Sequence, residues 1–291
     1  MPTMPSDLLA LEASIDAEEA SFSDIVDGAE REIVWADPDG PSRTAVSLVY
    51  FHGFSATRQE VDPLCQQVAE ALGANLYLTR LTGHGRSEAA MAEASVEDWL
   101  SDGLRSLEIG RQLGEKVILI GSSTGGTLAT WLSATQPDVS ALVLLSPNFA
   151  PNAFGTRMLL YPGRRLFTRL MIGKEREWEP ANPGQSKYWT WRYPSTALFP
   201  MMELVRLLER TDVSTITAPT LMIHSMDDTV VRSDVAAERF EEINAPHSRR
   251  VVVEEMESPD AHNLAGWIMA PNDTEARRSD ILSFLEPVLA E

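Results

Sequence analysis

VILIGSSTGGTLATW, residues 117–131, runs from an apolar stretch into a helix-forming one, with two adjacent serines between glycines. A continuous apolar run fits a strand buried on both faces of a parallel sheet. The glycines match G-x-S-x-G with Ser123 at the centre, because centring the motif on Ser122 would require glycines at 120 and 124, where Ile and Thr stand. A sharp strand-to-helix turn would raise the Ser123 hydroxyl at the sheet edge, beside the amides of a helix N-terminus. This stretch therefore predicts a nucleophilic serine.

The alternation of strands and helices extends on both sides of this turn. Apolar runs predict strands at 31–36, 45–51, 74–81, 116–121, 140–146, 219–225 and 249–256. Helical patterns fall between and after them, at about 59–72, 95–113, 127–136, 233–244 and 275–290. Ser95, with Asp98 three residues later, marks one helix start. The rhythm predicts an α/β fold with a mostly parallel central sheet flanked by helices.

Composition narrows the class of protein. The 291 residues carry a formal net charge of −19, which would repel nucleic acid phosphates, so a nucleic acid partner is not expected. Cys65 is the only cysteine, which rules out an intramolecular disulfide and favours a buried apolar role. The N-terminus lacks the pattern of a signal peptide, and no run approaches the roughly 20 apolar residues of a membrane span. We expect a soluble, cytoplasmic protein.

A serine nucleophile needs a base and an orienting acid. Of the five histidines, only His262 lies in a loop between the last predicted strand and the last helix. Asp227 and Asp228 follow directly on the strand at 219–225. A carboxylate there can reach across the carboxyl edge of the sheet to the loop that carries His262.

These residues resemble the α/β-hydrolase family, whose chain order is nucleophile, acid, histidine. The resemblance covers about 31–149 and 214–291 and implies a catalytic triad of Ser123, Asp228 and His262. Asp228 is preferred over Asp227 because the family pattern H-G-x-x-D-x-V-V aligns on His224, Asp228 and Val231. Ser225 stands where the family usually has glycine, which leaves the shape of this turn less certain.

The stretch HGF at 52–54 is a second match to the family. The resemblance implies an oxyanion hole formed by the backbone N–H groups of Phe54 and Thr124. It also makes LTGHGRS, 81–87, a structural loop. It implies no metal and no organic cofactor.

Residues 150–213 interrupt the α/β rhythm and predict a cap, or lid, inserted into a hydrolase core of 29–149 and 214–291. The insertion holds nine of the 21 aromatic residues. Within the family, the chain looks most like capped bacterial carboxylesterases and monoacylglycerol lipases. Pockets for hydrophobic acyl chains are mostly apolar, so we expect aromatic and apolar cap residues to line an acyl pocket. The alternative is that these residues only pack the cap against the core. They are Trp178, Tyr188, Trp189, Trp191, Tyr193, Phe199 and Met202.

The cap also differs in charge, with ten basic and six acidic residues. Its stretch 157–176 interleaves arginines with apolar residues, a pattern typical of segments that lie on anionic membrane surfaces. The hypothesis is transient contact with lipid; the alternative is that a basic cap neutralises the acidic body. Residues 1–28 form a separate N-terminal amphipathic segment, which fits a helix laid on the body, a dimer contact or a disordered arm.

The sequence thus predicts a serine ester hydrolase that acts on a small-molecule ester with a hydrophobic acyl chain through an acyl-enzyme. A peptidase, a thioesterase or a carbon–carbon bond hydrolase would use the same triad. Dehalogenases and epoxide hydrolases of this fold carry an aspartate where Ser123 stands. A non-catalytic binding protein on the same fold would be expected to have lost a triad member.

Overall fold

The computed structural model describes residues 4–290. Its strands are, in chain order, β1 (Glu32–Val34), β2 (Thr44–Phe51), β3 (Asn75–Leu78), β4 (Gly114–Ser122), β5 (Val139–Leu145), β6 (Glu175–Glu177), β7 (Arg192–Pro194), β8 (Thr220–His224) and β9 (Arg249–Val252). Seven of them form one sheet in the order β1-β3-β2-β4-β5-β8-β9. All neighbours in this sheet are parallel except β1, which pairs antiparallel with β3. β6 and β7 form a separate antiparallel pair.

The helices flank this sheet. They are α1 (Leu8–Glu19), α2 (Leu64–Leu72), α3 (Val96–Leu113), α4 (Thr124–Thr135), α5 (Arg164–Met171), α6 (Pro183–Tyr188), α7 (Leu198–Glu209), α8 (Ser233–Phe240) and α9 (Thr274–Leu289). The predicted fold class, an α/β-hydrolase fold with a mostly parallel sheet, is confirmed. The predicted start of α3 is also confirmed, because the Ser95 side chain accepts from the Asp98 amide while the Asp98 side chain accepts from the Ser95 amide.

Several predicted elements differ in extent; the strand expected over 74–81 ends at Leu78, and the helix expected over 233–244 ends at Phe240. The helix expected over 59–72 is interrupted: a 3-10 turn at Arg58–Glu60 is followed by Pro63, and α2 begins only at Leu64. A residue before proline avoids the helical conformation, so a continuous helix through Asp62 is disfavoured. The last strand ends at Val252 rather than 256. It is the edge strand of the sheet and its residues are largely exposed.

Apolar side chains fill both faces of the sheet. In β2, Val49 and Phe51 belong to the cluster on one face, whereas Leu48 and Tyr50 belong to the cluster on the other. This alternation follows from the two-residue period of a strand. Burial on both faces explains why the central strands are continuous apolar runs in the sequence.

The N-terminal helix α1 packs against the body through Leu11 and Ile15, which are buried in the first of these clusters. At its end, the buried Glu19 carboxylate accepts hydrogen bonds from Arg80 at 2.7 and 2.8 Å and from Arg31 at 2.6 Å. These charge-assisted bonds connect the N-terminal segment to the loop that follows β3. Residues 8–19 of this segment thus form a helix that packs on the body.

The segment between β5 and β8 contains three α-helices and two strands of its own: α5, β6, α6, β7 and α7. Where the cap begins and ends, at 150 and 213, stays a prediction. Across residues 4–290, no helix is both long enough and apolar enough to span a bilayer.

Candidate active site

The turn between β4 and α4 holds Ser123 in an unusual backbone conformation, with φ 50° and ψ −116°. A non-glycine residue adopts a positive φ at a cost in free energy, and such strain concentrates at functional sites. The turn is possible because Gly121 and Gly125, two residues before and two residues after Ser123, lack a Cβ atom. A Cβ on Gly121 would lie 2.5 Å from the carbonyl oxygen of Gly125, and one on Gly125 would lie 2.1 Å from that of Phe51. The two glycines of the motif are therefore sterically required.

Strand β5 and its following loop brace the turn. The Ser123 amide donates to the Leu145 carbonyl at 2.9 Å, and the Ser123 carbonyl accepts from the Asn148 amide at 2.9 Å. Ser123 is only 7% exposed. The Thr124 amide opens α4 and is one of the first helical N–H groups, which have no acceptor within the helix. This places a hydrogen-bond donor beside the serine.

Asp228 and His262, predicted as acid and base, are brought together by the fold. Asp228 Oδ2 lies 2.7 Å from His262 Nδ1. Asp228 Oδ1 accepts from the amides of Val230 and Val231, at 2.8 and 2.9 Å, so both oxygens of this buried carboxylate are engaged. Asp227, the alternative acid, is exposed. Its amide donates to Ser225 Oγ, the residue that departs from the family pattern, so this serine caps the turn.

The surroundings of His262 favour its charged form. Burial lowers the pKa of His262, but the hydrogen bond to Asp228 and the charges of Asp228, Asp260 and Glu60 outweigh this, and the pKa is raised above its ordinary value. Asp260 Oδ1 also accepts from the His262 amide at 3.1 Å. Such an imidazole is suited to receive a proton during a reaction.

The hydrogen bond expected between Ser123 and His262 in the predicted triad is not formed. Within residues 4–290, the Ser123 hydroxyl makes no hydrogen bond, to His262 or to any other group. Catalytic hydrogen bonds of this kind are often long without substrate and shorten when it binds. Ser123 nevertheless lies at the same carboxyl edge of the sheet as Asp228, because β4, β5 and β8 are neighbouring parallel strands.

Phe54, predicted to supply an oxyanion-hole amide, lies in the loop after β2. Its ring makes edge contacts with His84 and Tyr193, with ring centroids 5.8 and 5.4 Å apart. His84 belongs to the 81–87 loop and Tyr193 to the predicted cap. The neighbouring carbonyl of Ser55 accepts from the Thr190 amide at 2.7 Å. The loop is therefore held between the body and the predicted cap.

A buried carboxyl group at the site has no counterpart in the sequence-based prediction. Glu60 is 3% exposed, and its Oε1 accepts from the Gly53 amide at 2.5 Å and from the Tyr50 hydroxyl at 2.6 Å. No local pattern marks Glu60 in the sequence, since it falls at the start of an expected amphipathic helix. Only the folded chain brings it against the loop of Phe54.

The predicted acyl-pocket residues fall into two groups. Tyr193, Phe199 and Met202 are buried in the apolar cluster against which Phe54 packs. Trp178 and Trp189 lie in a different cluster with Ala56 and Ile268. Trp189 and Trp191, with Tyr188, line a cavity of about 200 Å³ to which Ser123, Asp228 and His262 do not contribute. The acyl pocket stays a prediction.

In the part of the chain that the structure describes, no three or more His, Cys, Asp or Glu side chains are grouped so as to hold a metal ion. Cys65 is fully buried, and burial raises the pKa of its thiol well above the ordinary value.

The chain is similar in sequence to known proteins. Residues 42–257 match the family model described as serine aminopeptidase, S33. A thermostable monoacylglycerol lipase of Bacillus sp. (strain H-257) is 28% identical over 204 residues, which cover 67% of this chain and 76% of that protein.

Solved structures share the fold. A structure described with LipS and LipT, two metagenome-derived lipolytic enzymes, superposes with a TM-score of 0.74 at 19% identity, covering 90% of this chain and 99% of that one. The monoacylglycerol lipase of Paleococcus ferrophilus superposes with a TM-score of 0.64 at 18% identity, covering 89% and 98%.

Proposed function

Since the chain belongs to the serine aminopeptidase S33 family of α/β hydrolases and is a hydrolase of the lipase and esterase type, we propose that it is a serine carboxylic-ester hydrolase that works through an acyl-enzyme. The observation that carries the proposal is the 2.7 Å Asp228–His262 pair at the same sheet edge as the strained Ser123 turn. A carboxylate, an imidazole and a serine in this order are the elements of nucleophilic acyl transfer.

In the proposed reaction, the Ser123 oxygen attacks the ester carbonyl while His262 Nε2 takes the hydroxyl proton. Asp228 holds the ring with Nδ1–H toward itself and stabilises the imidazolium. The same proton then passes to the leaving alcohol, and a water molecule activated by His262 hydrolyses the acyl-enzyme and releases the acid.

The negative oxygen of the tetrahedral intermediate would be bound by the amides of Phe54 and Thr124. Each such donor typically contributes about 3 kcal/mol of transition-state stabilisation. The α4 N-terminus adds a favourable dipole at the Thr124 side.

We further assign the substrate class to esters with one hydrophobic acyl chain, of the monoacylglycerol or lysophospholipid type. The support is the similarity to the Bacillus monoacylglycerol lipase and the apolar side chains of Tyr193, Phe199 and Met202 near Phe54. A peptidase, a thioesterase or a carbon–carbon bond hydrolase with the same triad is the alternative. Against an aminopeptidase stands the excess of basic residues in 150–213, which disfavours a substrate with a cationic N-terminus.

The proposed cap also carries a surface suited to lipid. Within residues 4–290, half of the exposed large apolar side chains lie between 154 and 171: Phe154, Met158, Tyr161, Leu166, Leu170 and Met171. No acidic residue occurs anywhere in 139–174, although the whole chain has 43. We call residues 154–174 the basic apolar surface.

The cations of this surface are only partly neutralised by the protein. Arg157 pairs with Glu209 and Arg164 with Glu203. Arg165 and Arg169, both exposed, have no carboxylate partner among the described residues. Apolar side chains that enter a bilayer interface, flanked by cations that meet anionic headgroups, favour docking on an anionic lipid surface. On an uncharged lipid surface, only the apolar side chains would contribute to binding.

The test of the function is hydrolysis of p-nitrophenyl esters with acyl chains of two to sixteen carbons, together with 1-monoacylglycerols and an amino acid p-nitroanilide. Wild type is compared with Ser123→Ala and Ser122→Ala. We expect Ser123→Ala to abolish turnover and fluorophosphonate labelling, and Ser122→Ala to retain labelling. Equal turnover in wild type and Ser123→Ala would refute the assigned nucleophile, and anilide cleavage without ester cleavage would favour the peptidase.

A further inference from the structure

Glu60 is the buried carboxyl group closest to the proposed oxyanion loop. It lies eight residues after His52, in the 3-10 turn that precedes α2. A Cβ placed on Gly53 would lie 3.0 Å from Glu60 Oε2 and 3.2 Å from the Ser123 Cβ. Gly53 therefore lies between the Glu60 carboxyl and the candidate nucleophile, and a Cβ atom there would make tight contacts with both.

Both peptide groups of Gly53 are fixed by hydrogen bonds. Its amide donates to Glu60 Oε1 at 2.5 Å, and its carbonyl oxygen lies 3.0 Å from His52 Nδ1. His52 Nε2 accepts from the Leu81 amide at 3.0 Å, so the ring proton is on Nδ1, which donates to the Gly53 carbonyl. Burial lowers the pKa of His52 to about 4, which keeps this ring neutral.

The direction of the Phe54 amide follows from these bonds. In a trans peptide, the N–H points opposite to the carbonyl of the same peptide group. Holding the Gly53 carbonyl toward His52 therefore aims the Phe54 N–H the other way. Holding the Gly53 amide toward Glu60 prevents the preceding peptide from rotating in compensation.

We propose that Glu60 is a positioning residue of the active site: its carboxylate holds Gly53 so that the Phe54 amide is aligned for the oxyanion, and its negative charge supports the His262 imidazolium. The inference rests on the proposed acyl-enzyme function. Glu60 acts through Gly53 and His262 and does not touch the substrate.

Glu60 and His262 are each surrounded by a small set of charged and polar groups. The charged groups around His262 are Asp228, Asp260 and Glu60, and each raises its pKa. Around Glu60 itself lie Tyr50, Cys65 and His262, with the Ser122 hydroxyl directed at the same carboxyl. Burial raises the pKa of Glu60, and donors such as Tyr50 and Gly53 oppose that rise. A buried carboxyl surrounded by donors is suited to hold a loop in one conformation.

Two substitutions separate alignment from charge. Glu60→Ala removes the acceptor for Gly53 and the charge. Glu60→Gln keeps an oxygen that can accept from Gly53 and removes only the charge. Asp62→Asn is the matched control, because Asp62 lies in the same segment and its carboxylate accepts from Gln66 on α2 rather than from the oxyanion loop.

The measurement is kcat and KM for a p-nitrophenyl ester over pH, with active sites counted by a fluorophosphonate and folding checked by thermal unfolding. For Glu60→Ala we expect kcat per active site to fall about 100-fold, near the loss of one oxyanion donor, with little change in KM. For Glu60→Gln we expect a smaller loss of kcat and an acidic limb shifted to lower pH, since a negative charge near His262 is gone. Asp62→Asn should match wild type.

The outcomes distinguish the inference from the function on which it rests. If wild type cleaves no ester and Ser123 does not label, the proposed function fails. If wild type is active and folded Glu60→Ala retains wild-type kcat, or the acidic limb of Glu60→Gln does not move, only the role of Glu60 is overturned. A fall in stability without a fall in kcat per active site would make Glu60 merely structural and would also overturn it.

Discussion

Asp228 Oδ2 lies 2.7 Å from His262 Nδ1, although 34 residues separate them in the chain. The other Asp228 oxygen accepts from the amides of Val230 and Val231, which prevents the carboxylate from turning away. Of the two adjacent acids, Asp228 is the one that contacts the histidine, which supports the proposal that it orients the ring. In a neutral ring, a carboxylate at this position favours the proton on Nδ1 and leaves Nε2 free to accept the serine proton, as the proposed mechanism requires.

The Asp228–His262 pair predicts unequal effects of substituting the two neighbouring acids. Asp228→Asn would place an amide donor against the ring and favour the wrong tautomer, so we expect kcat to fall about 10⁴-fold. The exposed Asp227→Asn serves as the control and should stay within about twofold of wild type. Steady-state ester hydrolysis measures both. A larger loss in Asp227→Asn than in Asp228→Asn would contradict the assignment.

The raised pKa of His262 predicts the pH dependence of catalysis. His262 must be neutral to accept the Ser123 proton, and a raised pKa keeps it protonated to a higher pH. We therefore expect the acidic limb of kcat/KM to have its midpoint above the ordinary histidine value of 6.5. The profile should be recorded with two esters of different leaving group, so that titration of the product is excluded. A midpoint below 6.5 would show that burial dominates over the surrounding carboxylates.

The turn glycines predict a large effect of a single methyl group. In Gly125→Ala, the new Cβ would lie 2.1 Å from the Phe51 carbonyl oxygen and 2.6 Å from that of His52, so backbone must move. Overpacking typically costs 1–3 kcal/mol, and we expect about 3 kcal/mol or more here because backbone cannot rearrange as a side chain does. Gly40→Ala, whose Cβ would meet the tip of the Asp37 side chain, is the control. Denaturant unfolding and ester turnover measure both, and a fully stable, active Gly125→Ala would refute the steric argument.

The basic apolar surface predicts binding to anionic vesicles. Wild type should sediment with vesicles of phosphatidylglycerol and phosphatidylcholine at low salt, and only weakly with phosphatidylcholine alone. Because each basic residue near such a surface contributes about 1 kcal/mol, Arg165→Glu/Arg169→Glu should weaken binding at least about 30-fold.

A second variant with two charge reversals tests whether vesicle binding depends on the position of the basic residues or only on the net charge. Arg232 and Arg278 lie outside 154–174 and have the same charge. Arg232→Glu/Arg278→Glu should therefore retain vesicle binding. Equal loss in both double variants would reduce the effect to net charge, and absence of wild-type binding at low salt would end the docking proposal.

Features that depend on adjacent residues could be predicted directly from the sequence. The G-x-S-x-G turn, the Ser95–Asp98 capping box and the apolar strand runs each depend on sterics or periodicity within a few residues. That is why the α/β fold and the position of Ser123 on a strand-to-helix turn could be predicted. The helix over 59–72 was the exception, because the restriction imposed by Pro63 outweighs the amphipathic pattern around it.

Hydrogen-bond and ion-pair partners that are distant in the sequence could not be predicted in this way. Glu60 looks like any acid on a helix until the chain folds its carboxyl against the Gly53 amide. Glu19 looks like a solvated charge until Arg80 and Arg31 enclose it. The sequence by itself determined the elements and the candidate nucleophile, because local sterics and hydrophobic periodicity act between near neighbours. Only the tertiary structure decided which carboxyl groups meet Gly53 and His262, because hydrogen bonding requires atoms within about 3 Å, and sequence distance does not specify that separation.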